Sequence, residues 1–360
     1  MGTIKNTLFL SGALVMACTT GVDDGKVGQG GPSETNGPTA KAVEEVEGLI
    51  WKFGADARLV ASPLVSQGMV YIGTWPDDIM YGINAATGVE KWKVKAKGSL
   101  RDPVVADGVL YGGTNNHLLI AMDANTGEER WTFKTQGKVV GGPVFYNGVV
   151  YAGSDDDHLY AVDAKTGQEQ WKVSVGFTSM PAISEGDLYV GSADHHVYAI
   201  NTKTGAQRWK YKTGGSAVDS MPVMSDGLVY IGSDDGHLYA LDAKTGSVAW
   251  KFQAEDRVSS SPAVSDGVVY VGGWDQHLYA IDAKTGEEKW KFKTDAWVGD
   301  PVISKTTVYV RVVGGRIYAI NAQTGQQERT ITGVGGAILQ PTISDGVVYV
   351  SGNDHLYALK

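Results

Sequence analysis

Residues 268–294 read VVYVGGWDQHLYAIDAKTGEEKWKFKT. Runs of four to seven residues rich in Val, Tyr, Ile and Phe are broken by Asp-Gln and by a Thr-Gly pair. Runs this short and this rich in β-branched and aromatic residues read as strands between tight turns, not as amphipathic helices. Working outward, Pro262 precedes a short strand A at 263–265, and an Asp-Gly turn leads into strand B at 268–272. Asp275 and Gln276 then lead into strand C at 277–281, and the turn 282–286 leads into strand D at 288–293. Glycine closes the A-to-B and C-to-D turns because such hairpins require positive φ.

The same unit recurs along the chain. Prolines stand at 63, 103, 143, 181, 222, 262, 301 and 341, with spacings of 38 to 41 residues, and Thr-Gly pairs follow in step. A period near forty built of four strands is the signature of a propeller blade. WKF at 51–53 matches strand D, and HLYAL at 355–359 matches strand C. The last unit lacks its own strand D and the first segment supplies one. The expected fold is therefore all-β: an eight-bladed β-propeller of four-stranded antiparallel blades, its ring closed by the N-terminal strand joining the C-terminal blade.

Composition agrees with this and narrows function. The 360 residues include 48 glycines and a single cysteine, with a net charge of −9. An acidic chain without clustered Lys and Arg argues against nucleic acid as a partner. The apolar stretch at 7–16 follows Lys5 and is too short to span a bilayer, so it has the form of a secretory signal. LVMAC at 14–18 resembles a bacterial lipobox, which implies cleavage before Cys18, lipid modification of that cysteine, and a membrane anchor. Thr19, in place of Asp, implies sorting to the outer membrane in lipoproteins of enteric type. Residues 19–47 are rich in Gly, Ser, Thr, Pro, Asp and Glu and read as a flexible tether. The expected organisation is a signal peptide at 1–17, a tether at 18–47 and the propeller at 48–360.

Several residue types recur at fixed places in the unit. Trp51, Trp92, Trp131, Trp171, Trp209, Trp250 and Trp290 share one position and are expected to dock neighbouring blades; Arg329 takes the eighth place, where a weaker contact is expected. His158, His196, His237, His277 and His355 open strand C, and eight-fold placement would hold them too far apart to share an ion. The acidic runs 77–78 and 155–157 read as solvated turn residues. Lysines of strand D, such as Lys289, Lys291 and Lys293, read as protection of an exposed sheet edge. No metal site, cofactor site or catalytic set stands out from the repeat.

Variation between blades points to a surface. The A-to-B and C-to-D turns are monotonous, whereas the B-to-C and D-to-A loops on the opposite face differ from blade to blade. The candidates for partner binding there are Trp75, Leu100, Arg101, Asp219, Arg257, Trp274 and Trp297. The three tryptophans lie outside the docking series, and large aromatics beside arginine are natural interface anchors, though they could equally plug the channel or cover a neighbouring loop.

The unit, with its Ala-x-Thr-Gly-x-x-x-Trp core, resembles the pyrroloquinoline-quinone-type propeller repeat over residues 51–360. Quinoprotein dehydrogenases with this repeat carry vicinal cysteines and calcium ligands, whereas the one cysteine here stands at the lipobox. The combination of lipobox, tether and single ring resembles the BamB-type periplasmic lipoproteins. That resemblance implies a non-enzymatic, lipid-anchored scaffold facing the periplasm, with the barrel-inserting subunit of the outer-membrane assembly machinery as its protein partner. It also implies partner contacts at an acidic residue three before one strand-A proline and at a Leu and Arg one blade earlier. Asp219, three before Pro222, fits the first; residues 175–181 hold neither Leu nor Arg, and the pair Leu100 and Arg101 stands two blades earlier than the pattern asks. A monomeric scaffold is the leading expectation. A propeller that binds or senses a quinone or sugar, and a quinone-dependent oxidoreductase, remain as alternatives.

Overall fold

A computed structural model describes residues 46–360 apart from 140, 177–178, 216 and 336–338. Cys18, the signal segment and nearly all of the tether lie outside the described residues. The described residues form eight antiparallel sheets arranged as an eight-bladed β-propeller. Blade 6 is representative, with strands A at Ala263–Ser265, B at Val268–Gly272, C at His277–Asp282 and D at Glu288–Lys293, hydrogen-bonded in that order. The eighth blade takes its strand D from Leu49–Gly54, which pairs antiparallel with His355–Leu359. Strand A is innermost, touching the A strands of neighbouring blades, and strand D forms the rim.

Each blade is shaped by one irregularity. A β-bulge between strands C and D skips one residue, so that Ala280 faces Trp290 while Ile281 faces Glu288. The small residue opposite leaves room for the indole. Trp290 Nε1 then donates to the carbonyl of Ala322 in blade 7 at 3.1 Å. Six further tryptophans do the same: Trp51 reaches Ala85, Trp92 reaches Ala124, and Trp209 reaches Ala243 at 2.9 to 3.1 Å. In six blades the strand-B tyrosine donates to the same carbonyl; Tyr189 joins Trp209 on Ala243 O at 3.1 Å. The ring also covers the next blade's Thr-Gly turn. Gly286 has φ +77, and a Cβ there would lie 2.7 Å from the Trp250 indole. The turn itself is held by Asp282 Oδ1, which accepts from the Lys284 and Thr285 amides at 3.0 Å.

Two sequence expectations need correction. Strand A does not always begin after its proline. In blades 2 and 7 it runs through it, at Leu100–Ala106 and Val298–Ser304, with bulges at Arg101/Val104 and Val298/Pro301. These are the two blades in which Asp precedes the proline. The acidic runs are also not merely solvated. Asp156 Oδ2 accepts from the Tyr160 hydroxyl at 2.8 Å, and Asp78 Oδ1 accepts from Ser99 Oγ at 2.7 Å. The Asp156 arrangement recurs: Asp194 with Tyr198, Asp235 with Tyr239 and Asp275 with Tyr279, at 2.5 to 2.7 Å.

Candidate functional site

On the face of variable loops, four neighbouring elements each bring one side chain into a layered stack. Arg257 stands on the loop between strand D of blade 5, Val248–Gln253, and strand A of blade 6. Trp274 is on the B-to-C turn of blade 6, Trp297 on the loop that leaves blade 6, and Arg311 in strand B of blade 7, Thr307–Val312. The Arg257 guanidinium lies 5.4 Å from the Trp274 ring, which stacks on Trp297 at 5.7 Å and 13°. The Arg311 guanidinium lies over the Trp297 ring, 5.5 Å from its centroid. Backbone bonds fix the layers: the Trp274 amide donates to Arg257 O at 3.0 Å, and the Val298 amide to Gly273 O at 3.2 Å. Cation–π and offset aromatic contacts of this kind contribute on the order of 0.5–1.5 kcal/mol each. The outer layer remains accessible, with Trp274 43% exposed and Arg257 exposed.

The other candidates scatter. Trp75, 50% exposed, stands three blade steps around the same face, paired in register with Arg58 and followed by Pro76. Asp219 is half-buried, and burial first and the charge of Asp234 second push its carboxyl up. Arg257 Nη1 in turn lies 3.9 Å from Asp234 Oδ2. Leu100 is a correction: it is 1% exposed and packs against Gly112 in the core of blade 2, so it cannot meet a partner. Arg101 is half-buried, with its Nε buried and unpartnered. The seven repeated tryptophans lie between blades, as described above. Arg329 reaches the Lys360 carbonyl of blade 8 at 2.6 Å, an exposed hydrogen bond where the other blades pack a buried or half-buried indole.

Arg311 was not among the sequence candidates, although a signal existed. Strand B ends in glycine in six blades, and Arg311 occupies that place in blade 7. Glycine is needed because the next loop comes close: a Cβ at Gly272 would sit 2.6 Å from the Val298 carbonyl oxygen.

The residues immediately before the strand-A prolines form a second unusual group, around the inner end of the blades. Ser261 N donates to Asp300 Oδ1 at 2.7 Å, Met221 N donates to Ser261 Oγ at 3.1 Å, and Gln340 Nε2 donates to the Asp300 carbonyl. Met221 belongs to the same apolar cluster as Leu64 and Val104, and Met180 packs against it. Burial pushes Asp102 up to about 7, with Arg101 opposing and Asp300 adding to the shift. Burial likewise pushes Asp300 up to about 6, against hydrogen bonds from Ser261 and the charge of Arg311. The Arg311 guanidinium is itself pushed down by burial.

Among the described residues no three His, Cys, Asp or Glu side chains gather in metal-binding geometry. The strand-C histidines instead face their own aspartates, as His237 faces Asp235 at 3.1 Å. A cavity of 1110 Å³ lies on the opposite, monotonous face between blades 5 and 7. It is lined by turn residues and by Tyr230, Tyr270 and Trp290, which belong to the repeat rather than to any one blade.

The family model described as outer membrane protein assembly factor BamB matches residues 19–102, 94–216 and 155–260. Among curated proteins none matches this chain in sequence. Three of the many solved structures that share the fold are the following. BamB from Moraxella catarrhalis is 21% identical with a TM-score of 0.75, covering 87% of this chain and 97% of its own. The computationally designed Ika8 protein is 18% identical at TM-score 0.75, covering 85% of this chain and 98% of its own. Quinohemoprotein alcohol dehydrogenase from Comamonas testosteroni is 16% identical at TM-score 0.70, covering 86% of this chain and 76% of its own.

Proposed function

The chain belongs to the family of the outer membrane protein assembly factor BamB, and from that premise we propose that it is a non-enzymatic protein-binding scaffold in the assembly of outer-membrane proteins. Under this reading Cys18 carries the lipid anchor, the tether spans 18–47, and the ring faces the periplasm. The barrel-inserting subunit is the intended partner, and the protein acts as a monomer. The observation that carries the reading is the layered stack of Arg257, Trp274, Trp297 and Arg311 on the variable face. Aromatic and arginine side chains held rigidly and left accessible lose little conformational entropy on binding, which is how interface anchors work. Propellers with this repeat also serve oxidoreductases, but fold does not carry activity.

The test is co-purification of outer-membrane assembly subunits with the full-length chain from membranes. The pair Trp274→Ala with Arg257→Glu is expected to lower capture at least tenfold while the melting temperature stays within a few degrees of the parent. Capture that survives this pair would overturn the assignment of the face. Failure of the unmodified chain to retain any such subunit would overturn the scaffold reading itself.

A further inference from the structure

Blade 7 is shaped around the inner layer of the stack. Arg311 stands where six blades place glycine, and strand A of the same blade, Val298–Ser304, answers with its bulge. Val298 pairs with Val312 and Pro301 with Val310, so Gly299 and Asp300 together lie opposite Arg311. Gly299 supplies the room: a Cβ there would sit 2.9 Å from Arg311 Cγ and 3.0 Å from its Nε. A bulge re-aims the side chains around it. The guanidinium is thereby directed over Trp297, 5.5 Å from the ring centroid, and Trp297 in turn supports Trp274.

No hydrogen bond holds the guanidinium there. Arg311 Nε is buried without a partner, and Arg311 makes no ion pair within 4 Å among the described residues. A cation drawn out of water needs compensation, and two groups supply it: the Trp297 face and the charge of Asp300. Burial pushes Arg311 down and Asp300 opposes it; burial pushes Asp300 up to about 6, and Ser261 and Arg311 oppose that. Asp300 is fixed by Ser261 N on Oδ1 at 2.7 Å and by Gln340 Nε2 on its carbonyl. The other charged groups at this end are Asp102, beside Arg101 in strand A of blade 2, and Arg316 in strand C of blade 7. Asp102 is raised by burial first and by Asp300 as well, and Arg316 is engaged by Asp295.

We propose that Asp300 and Arg311 are positioning residues for the partner face: the Asp300 charge keeps the Arg311 guanidinium over Trp297, and neutralising that charge loosens the stack and weakens partner capture. The inference rests on the reading of this stack as the partner-binding site. Without its countercharge the half-buried guanidinium is better solvated in water than against the strand, and its long stem lets it leave. The change falls between pH 7.5 and 5.5, across the value of about 6 that burial gives Asp300. A carboxyl raised in the folded state contributes stability that is present below its unfolded pKa, near 3.9, and lost as pH rises through the folded value. Acidification through this window therefore raises the contribution of Asp300 to stability while it lowers capture, so the two move in opposite directions.

The first measurement uses no partner. The full-length chain is labelled with 5-fluorotryptophan and its fluorine NMR spectrum is followed from pH 7.5 to 5.5, with the two stacked indoles assigned from Trp274→Phe and Trp297→Phe. The Trp297 signal is expected to shift with a midpoint near pH 6. In Asp300→Asn, which keeps the acceptor for Ser261 N, the signal should sit near the acid position throughout. Arg311→Gly restores the residue of the repeat, should show no step, and serves if Asp300→Asn fails to fold. Retention of outer-membrane assembly subunits should fall at least tenfold between pH 7.5 and 5.5 in the parent, and be equally low at both pH values in the two variants. A parent Trp297 signal without a pH step would overturn the proposal, as would a step that survives in a folded Asp300→Asn or in Arg311→Gly. Capture that stays unchanged when the stack has moved would overturn it too. If the unmodified chain retains no subunit at pH 7.5, the scaffold reading falls, while the fluorine spectrum still decides whether Asp300 and Arg311 hold the stack.

Discussion

At the residue scale the fold depends on one indole in each of seven blades, and the contrast between Trp209 and Arg329, which takes the eighth place, measures it. Trp209 is buried, packs at 5.9 Å on Tyr189 and bonds Ala243 O in the next blade. Large-to-small changes at buried aromatics cost about 3–5 kcal/mol. Trp209→Ala is therefore expected to lower stability by about that amount, and Trp209→Phe by less, since it loses chiefly a hydrogen bond of about 1 kcal/mol. Arg329 makes one exposed bond at the equivalent seam, so Arg329→Ala should cost under about 1 kcal/mol. Urea unfolding of the three variants decides the matter; an Arg329 effect as large as that of Trp209 would show that the seam between blades 7 and 8 is not the weaker one. The tryptophan period was readable in the sequence. The strand-B tyrosine that shares its acceptor was not, because a tyrosine in a buried strand reads equally as core, and only the register puts its hydroxyl beside the next blade's carbonyl.

At the element scale the B-to-C turn carries the pH response. In blades 3, 4 and 5, burial alone pushes Asp156, Asp194 and Asp235 up, but hydrogen bonds from Tyr160, Tyr198 and Tyr239 and from backbone amides outweigh it, and each carboxyl ends below its ordinary value. A carboxyl lowered in the folded state gives stability that is present above its unfolded pKa, near 3.9, and is lost as pH falls through the folded value. The tyrosines are raised, by burial first and the aspartate bond second, so their contribution is present below about pH 10 and lost at higher pH. The urea midpoint should therefore fall on acidification below about pH 4. Asp235→Asn should be less stable at pH 7 and show a shallower acid limb; an acid limb identical to that of the parent would rule Asp235 out as a contributor. The sequence placed these turns and their loops on the right strands. It could not distinguish Asp156 from its solvated neighbour Asp157, because the difference is a phenol four residues on, brought back by the strand. The same limit hid Leu100: strand A of blade 2 begins before Pro103 and carries that leucine into the core, which proline spacing alone does not reveal.

At the scale of the whole molecule, a period near forty with strand-like runs was enough to specify eight blades and the closure, because a missing strand D at one end and a spare one at the other have a single geometric solution. What the period could not specify lies where blades differ. Arg311 in a glycine place and aspartates before Pro103 and Pro301 are single departures from the repeat, and their meaning depends on which neighbours the ring brings to them. Closure itself is testable. Leu49–Gly54 both completes the sheet of blade 8 and sends Trp51 to Ala85 of blade 1, so one strand joins the two seams where the chain meets itself. Removing residues 46–54 would leave His355–Leu359 as a buried-type strand with an unpaired edge, an aggregation liability, and would strip the indole from the Thr-Gly turn at Gly88. Removing 19–45 touches neither contact. The first deletion is expected to lower the melting temperature by more than ten degrees and to produce oligomers by light scattering, while the second leaves both unchanged. Equal melting of the two deletions would mean that the ring holds without its closing strand, and that neighbouring blades rather than the shared eighth sheet keep the propeller shut.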